Sequence, residues 1–76
     1  MNKQEFFHKL EEIIAAPSGS ILGNESLKDL PGWDSMASVA FIAMADETMA
    51  ETVSASRLAY CKSVVDLVAL FPGKIS

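Results

Sequence analysis

Apolar positions along this chain recur with helical spacing, and no stretch shows useful strand alternation. Residues 3–16 place Phe6, Leu10, Ile13 and Ile14 on one stripe with Lys9 and Glu12 off it, which predicts an amphipathic first helix. "APSGS" ends it, because Pro17 cannot continue a helical ladder and Gly19 loosens the chain. Residues 17–33 make a connection longer than most helix–helix links. Ile21, Leu22, Leu27, Leu30 and Trp33 recur through it, so an ordered loop packed over the bundle is expected.

A second helix is predicted over 35–50, with Ser38, Phe41, Ile42, Ala45 and Met49 at the spacing of a buried stripe. A short helix over 56–61 carries Leu58 and Cys61, and the serines of "ETVSAS" are able to cap it. Ser63 is the expected cap of a last helix, 64–71, whose Val64, Leu67, Val68 and Phe71 face inward before Pro72-Gly73 closes it. The predicted fold is all-α: a small bundle of three main helices plus one short helix, with a long ordered loop between helices 1 and 2, in one domain of residues 1–76.

The second helix is unusual off its stripe. Met36, Ala37, Val39, Ala40, Ala43 and Met44 stand where charge is normal, and only Asp46 and Glu47 charge its later turns. Composition narrows what such a face could meet. The formal net charge is −4 and the six Lys and Arg residues are scattered, which argues against nucleic acid as a partner. Cys61 is the single cysteine, so no internal disulfide forms and a reducing compartment is expected. "MNKQEFFHKLEEII" lacks the continuous apolar core of a secretion signal, and no apolar run approaches a membrane span. A cytoplasmic protein, monomeric and without a membrane span, is the expectation.

The stretch "LPGWDSM" bears on what the second helix is for. In one reading Asp34 or Ser35 simply caps the helix, Gly32 permits the turn and Trp33 covers the end of the core. In the other, Ser35 is an attachment point. A helix N-terminus offers unpaired N–H groups and about half a positive charge, favouring a phosphate there by about 0.3–1 kcal/mol. A hydroxyl at that place is suited to carry a phosphodiester, and Asp34 beside it could help hold a divalent metal while an external enzyme performs the transfer.

The Asp34-Ser35-Met36 triplet, after "LPGW" and opening a helix, resembles the Asp-Ser-Leu signature of acyl carrier proteins. The layout agrees over essentially the whole chain: an amphipathic first helix, a long loop containing "LKDL", the signature, a short third helix and an apolar fourth. The resemblance implies that Ser35 accepts 4′-phosphopantetheine from coenzyme A, installed by a Mg-dependent phosphopantetheinyl transferase. It implies a carrier, not an enzyme, that holds acyl groups as thioesters for loading and acyl-using enzymes. Asp34 would support the modification, and Met36, Val39, Ala40, Ala43 and Met44 would form the partner-binding strip. An acyl chain would be received near Ser38, Ile42, Leu58, Cys61 and Val64, with limited burial because Leu58 is bulky.

The chain also departs from that family. Carriers of fatty-acid synthesis show several carboxylates along the second helix, whereas here Ala37, Ala40 and Ala43 occupy much of that face and acid is confined to Asp34, Asp46, Glu47 and Glu51. Pro31 and Trp33 make the approach to the serine bulkier than usual. A specialised carrier of a modified-lipid, polyketide or glycolipid pathway is therefore expected. An aminoacyl or peptidyl carrier and an unmodified helical interaction module are the alternatives. Elsewhere, His8 reads as a boundary residue without a catalytic partner, Cys61 as a small hydrophobe and Met49 as core. Glu11-Glu12 and Asp46-Glu47 read as solvated helix surface, and no spacing suggests a metal cage.

Overall fold

A computed structural model describes residues 1–76 and contains four α-helices and no strands. Helix α1 spans Lys3–Ile14. Asn2 and Glu5 close its start reciprocally: the Glu5 N–H donates to Asn2 Oδ1 at 2.8 Å and the Asn2 N–H to Glu5 Oε1 at 3.1 Å. It stops two residues earlier than the pattern suggests. Ala15 turns left-handed at φ 56°, and Ala16 precedes Pro17, which disfavours helical backbone in the residue before it.

Helix α2 spans Ser35–Met49, with Ala50 left-handed at φ 53°. Helices α3 (Ala55–Ala59) and α4 (Val64–Ala69) are capped by Ser54, which accepts from Arg57 N–H, and Ser63, which accepts from Asp66 N–H. Cys61 thus lies beyond α3 rather than on it. No helix is long and apolar enough to cross a membrane.

The core centres on Phe6, Phe41 and Phe71, which have almost no exposed surface and come from α1, α2 and the turn after α4. Their ring centroids lie 5.9–6.0 Å apart, with Phe6 edge-on to both others. Each edge-to-face pair adds about 0.5–1.5 kcal/mol beyond its buried area. Leu10, Ile14, Leu58, Val64 and Leu67 complete the packing.

The inward face of α2 differs from the predicted stripe. Phe41, Ala45 and Met49 are buried as expected, but Ala37 and Met44 are buried with them, while Ser38 and Ile42 are only half-buried. A helix that is apolar on nearly every side carries no polar face to mark its inward direction, so the neighbouring elements set its rotation.

The loop between α1 and α2 is held at several places. Ile21 and Leu27 are buried, and a 3-10 turn covers Leu27–Asp29. Ser26 bridges to Ser63, flanked by Leu27 N–H donating to Lys62 O (2.9 Å) and Val64 N–H donating to Glu25 O (3.0 Å). This stitch draws the loop against the α3–α4 connection.

Candidate functional site

The Gly32–Ser35 segment is positioned by a backbone conformation that favours glycine. Gly32 has φ +90°, and a Cβ there would lie 2.5 Å from the Ile14 carbonyl oxygen, so the loop end rests directly on the end of α1. Trp33 is half-buried with its ring edge-on to Phe41, centroids 5.9 Å apart. The two contacts fix the approach to α2 from both sides.

Asp34, not Ser35, is the cap. Its backbone is extended, Oδ1 accepts from Ala37 N–H at 2.9 Å, and its carbonyl accepts from Ser38 N–H at 3.0 Å. Ser35 is therefore the first helical residue. It is exposed, and its hydroxyl makes no hydrogen bond within the chain. The N–H groups of Ser35 and Met36 also have no acceptor, as expected at a helix start whose cap serves only the third and fourth positions. The result is a free hydroxyl beside two free N–H donors. Asp34 Oδ2 accepts no hydrogen bond and faces no ion-pair partner.

Next to Ser35, Met36 is 80% exposed and Val39 68% exposed, and Ala40 and Ala43 continue the same exposed stripe. Met44 does not belong to it. It is buried in the core, with Thr48 Oγ1 donating to its carbonyl (2.7 Å) and to its Sδ (3.3 Å). The proposed strip is thus Met36, Val39, Ala40 and Ala43; Ala37 also leaves that face. The residues expected to receive an acyl chain are packed: Val64 is fully buried and Leu58 nearly so, with Ile42, Ser38 and Cys61 half-covered around them.

Away from this site, Glu11 is the one buried charged residue, contrary to its reading as solvated surface. Oε2 accepts from Ile21 N–H at 2.9 Å, and Oε1 lies 3.0 Å from His8 Nδ1. Burial alone would push this carboxyl up, but hydrogen bonds from the Ile21 and Gly19 backbone, with His8 beside it, hold it below the usual carboxylate range. Glu25 behaves alike: burial raises it, and the Leu22 and Gly23 N–H groups at 2.6 and 2.9 Å bring it below its ordinary value.

His8 therefore has partners that its sequence context did not reveal. Ser18 Oγ approaches the same Nδ1, at 3.4 Å. A Ser–His–carboxylate relay needs the hydroxyl on one ring nitrogen and the carboxylate on the other. Both meet Nδ1 here, so the cluster fastens the loop and does not activate a nucleophile. No group of three or more His, Cys, Asp or Glu side chains gathers in a metal-binding arrangement. Protein-family models, curated proteins and solved structures return no match to this chain.

Proposed function

We propose that this chain is a carrier protein modified on Ser35 by 4′-phosphopantetheine, carrying acyl intermediates of a lipid, polyketide or related specialised pathway. The observation that supports it most is the division of labour at the start of α2. Asp34 alone satisfies the cap, which leaves the Ser35 hydroxyl exposed and unbonded next to the free N–H groups of Ser35 and Met36.

These residues fit the group. The hydroxyl is open to an incoming transferase, the two free N–H groups would be available to a phosphodiester oxygen on Ser35, and Oδ2 of Asp34 would be available to a divalent cation brought with coenzyme A. In that transfer the Ser35 oxygen would bond to the phosphorus next to the pantetheine as the pyrophosphate P–O bond of coenzyme A breaks, its proton would pass to a base of the transferase, and the nucleotide half would leave. When bound, the arm supplies a thiol on which acyl groups are held as thioesters. The exposed Met36, Val39, Ala40 and Ala43 give transferase and acyl-using enzymes an apolar surface to cover.

Intact-mass measurement after incubation with coenzyme A, Mg²⁺ and a broad-specificity phosphopantetheinyl transferase tests this. The wild type gains one arm, mapped to Ser35 by peptide analysis, and Ser35→Ala gains none. An unmodified wild type ends the carrier reading and leaves the unmodified interaction module, whereas a Ser35→Ala protein that still gains the arm removes Ser35 as the attachment point.

A further inference from the structure

The stitch between Ser26 and Ser63 brings together residues that are far apart in the chain. A cleft of about 440 Å³ opens beside it, lined by Ser26, Leu27, Lys28, Trp33, Cys61 and Lys62. Two lysines thus share one concave surface. Neither ammonium is within ion-pair distance of a carboxylate, since the molecule's ion pairs are His8–Glu11 and Lys74–Glu51. Of the acids that adjoin this region, Asp66 Oδ2 accepts from the Lys62 backbone N–H at 2.8 Å, Glu25 from the Leu22 and Gly23 N–H groups and Asp34 from the Ala37 N–H, while Asp29 follows Lys28 in the chain.

The cleft also borders the attachment point. Trp33 is one of its walls and stands two residues before Ser35, a separation of at most about 7 Å even for extended backbone. A linear arm on Ser35 easily spans that distance and can fold back. Half of the lining is apolar (Leu27 and the half-buried Trp33 and Cys61) and half is polar or cationic (Ser26, Lys28 and Lys62), so the cleft offers a carboxylate two ammonium groups beside an apolar wall.

Resting on the carrier reading above, we infer that this cleft holds the charged end of the tethered cargo: an acyl group terminating in a carboxylate, received between Lys28 and Lys62 against Trp33.

The test compares two cargoes of equal chain length that differ in terminal charge. The protein is loaded by the transferase from succinyl- or butyryl-coenzyme A, and loading is verified by mass. Alkylation of Cys61 by neutral iodoacetamide then reports on the cleft, with emission of the only tryptophan, Trp33, as a second signal. Cys61 should react about fivefold more slowly in the succinyl than in the butyryl form, the worth of one or two exposed ion pairs. That ratio should fall to about one in Lys28→Gln/Lys62→Gln, whose exposed substitutions spare the fold.

Equal rates in the two wild-type forms, or a ratio that survives the double substitution, overturn the inference while leaving the carrier reading intact. The arm without cargo is the third sample, with Cys61 followed by peptide mapping. If it protects Cys61 as well as succinyl does, the bound anion is the arm's own phosphodiester and the cargo assignment is wrong. A protein that takes no arm at all overturns the carrier reading and this inference together.

Discussion

The loop before α2 and the first turns of α2 follow opposite rules. In the loop, polar groups are tied down: Glu11 holds Ile21, Glu25 holds Leu22 and Gly23, and the Ser26–Ser63 stitch anchors the far side. At the start of α2 the Ser35 hydroxyl is left unbonded and Met36 and Val39 stand in solvent, and only Ser38 Oγ, one turn on, is tied, donating to the Asp34 carbonyl at 3.1 Å. The contrast shows how a chain with a thin core can present an unconstrained hydroxyl in a fixed place. Rigidity is concentrated next to the site, not in it.

The largest expected break in this contrast comes from Gly32→Ala. The substitution forces a side chain to adopt φ +90° and to collide with the Ile14 carbonyl, and about 3 kcal/mol of stability should be lost in urea unfolding. Gly19→Ala is the control. Its φ of +85° is equally left-handed but its Cβ meets nothing within 4 Å, so only the strain of about 1–2 kcal/mol should appear. Equal losses at the two positions would show that the loop end does not bear on α1.

Glu11→Ala should cost about 1–3 kcal/mol, because it leaves the buried Ile21 N–H without an acceptor. The same carboxylates set an acid dependence. Glu11 and Glu25 hold protons less tightly when folded than when unfolded, so their contribution is complete above the unfolded carboxyl range, near about 4.3. It is lost as pH falls through their lower folded values. Urea midpoints measured from pH 6 downward, at about half-unit steps, should fall less steeply in Glu11→Ala than in wild type; identical slopes would remove Glu11 from the acid response.

At α2, Asp34→Ala should lose about 0.5–2 kcal/mol through the missing cap, whereas Ser35→Ala should stay within about 0.5 kcal/mol of wild type. Asp34→Asn separates the two roles of that residue: it keeps a capping oxygen, so stability holds, and it removes the charge, so modification by the transferase slows. A Ser35→Ala protein destabilised as much as Asp34→Ala would assign the cap to the serine. The smallest effect on the fold belongs to Ala40→Glu, which places a charge on the exposed stripe and should change stability by less than about 0.5 kcal/mol. Transferase kcat/KM should nevertheless fall, because an unpaired carboxylate would be pressed against an apolar partner surface; unchanged kinetics would discard the docking role.

Much of the fold was legible because its signals are local. Phe6, Leu10 and Ile14 mark the inner side of α1 by their spacing, and Ser54 and Ser63 announce their helices by the capping chemistry of their hydroxyls. The sequence marks the opening of α2 at Ser35 but leaves open whether Asp34 or Ser35 caps it, since both residue types accept from a helix N–H equally well. The rotation of α2 was not legible for the same reason that its surface is interesting: Met44 and Met36 are chemically alike and only packing separates them. Glu11 was misread because its burial depends on a loop that returns ten residues later, and no spacing within α1 records that return. Lys28 and Lys62 are far apart in the chain, and only the Ser26–Ser63 bridge brings them to the lining of one cleft.

The bond from Ile21 to Glu11 has a consequence on the timescale of hydrogen exchange. Its acceptor is buried in α1, so the Ile21 amide proton meets water only when loop and helix part. The neighbouring Leu22 amide is held by Glu25, three residues away in the same loop, and a local fluctuation suffices to release it. Two adjacent amides thus open by different motions, and by its exchange clock residue 21 is counted with the first helix, although it lies in the loop.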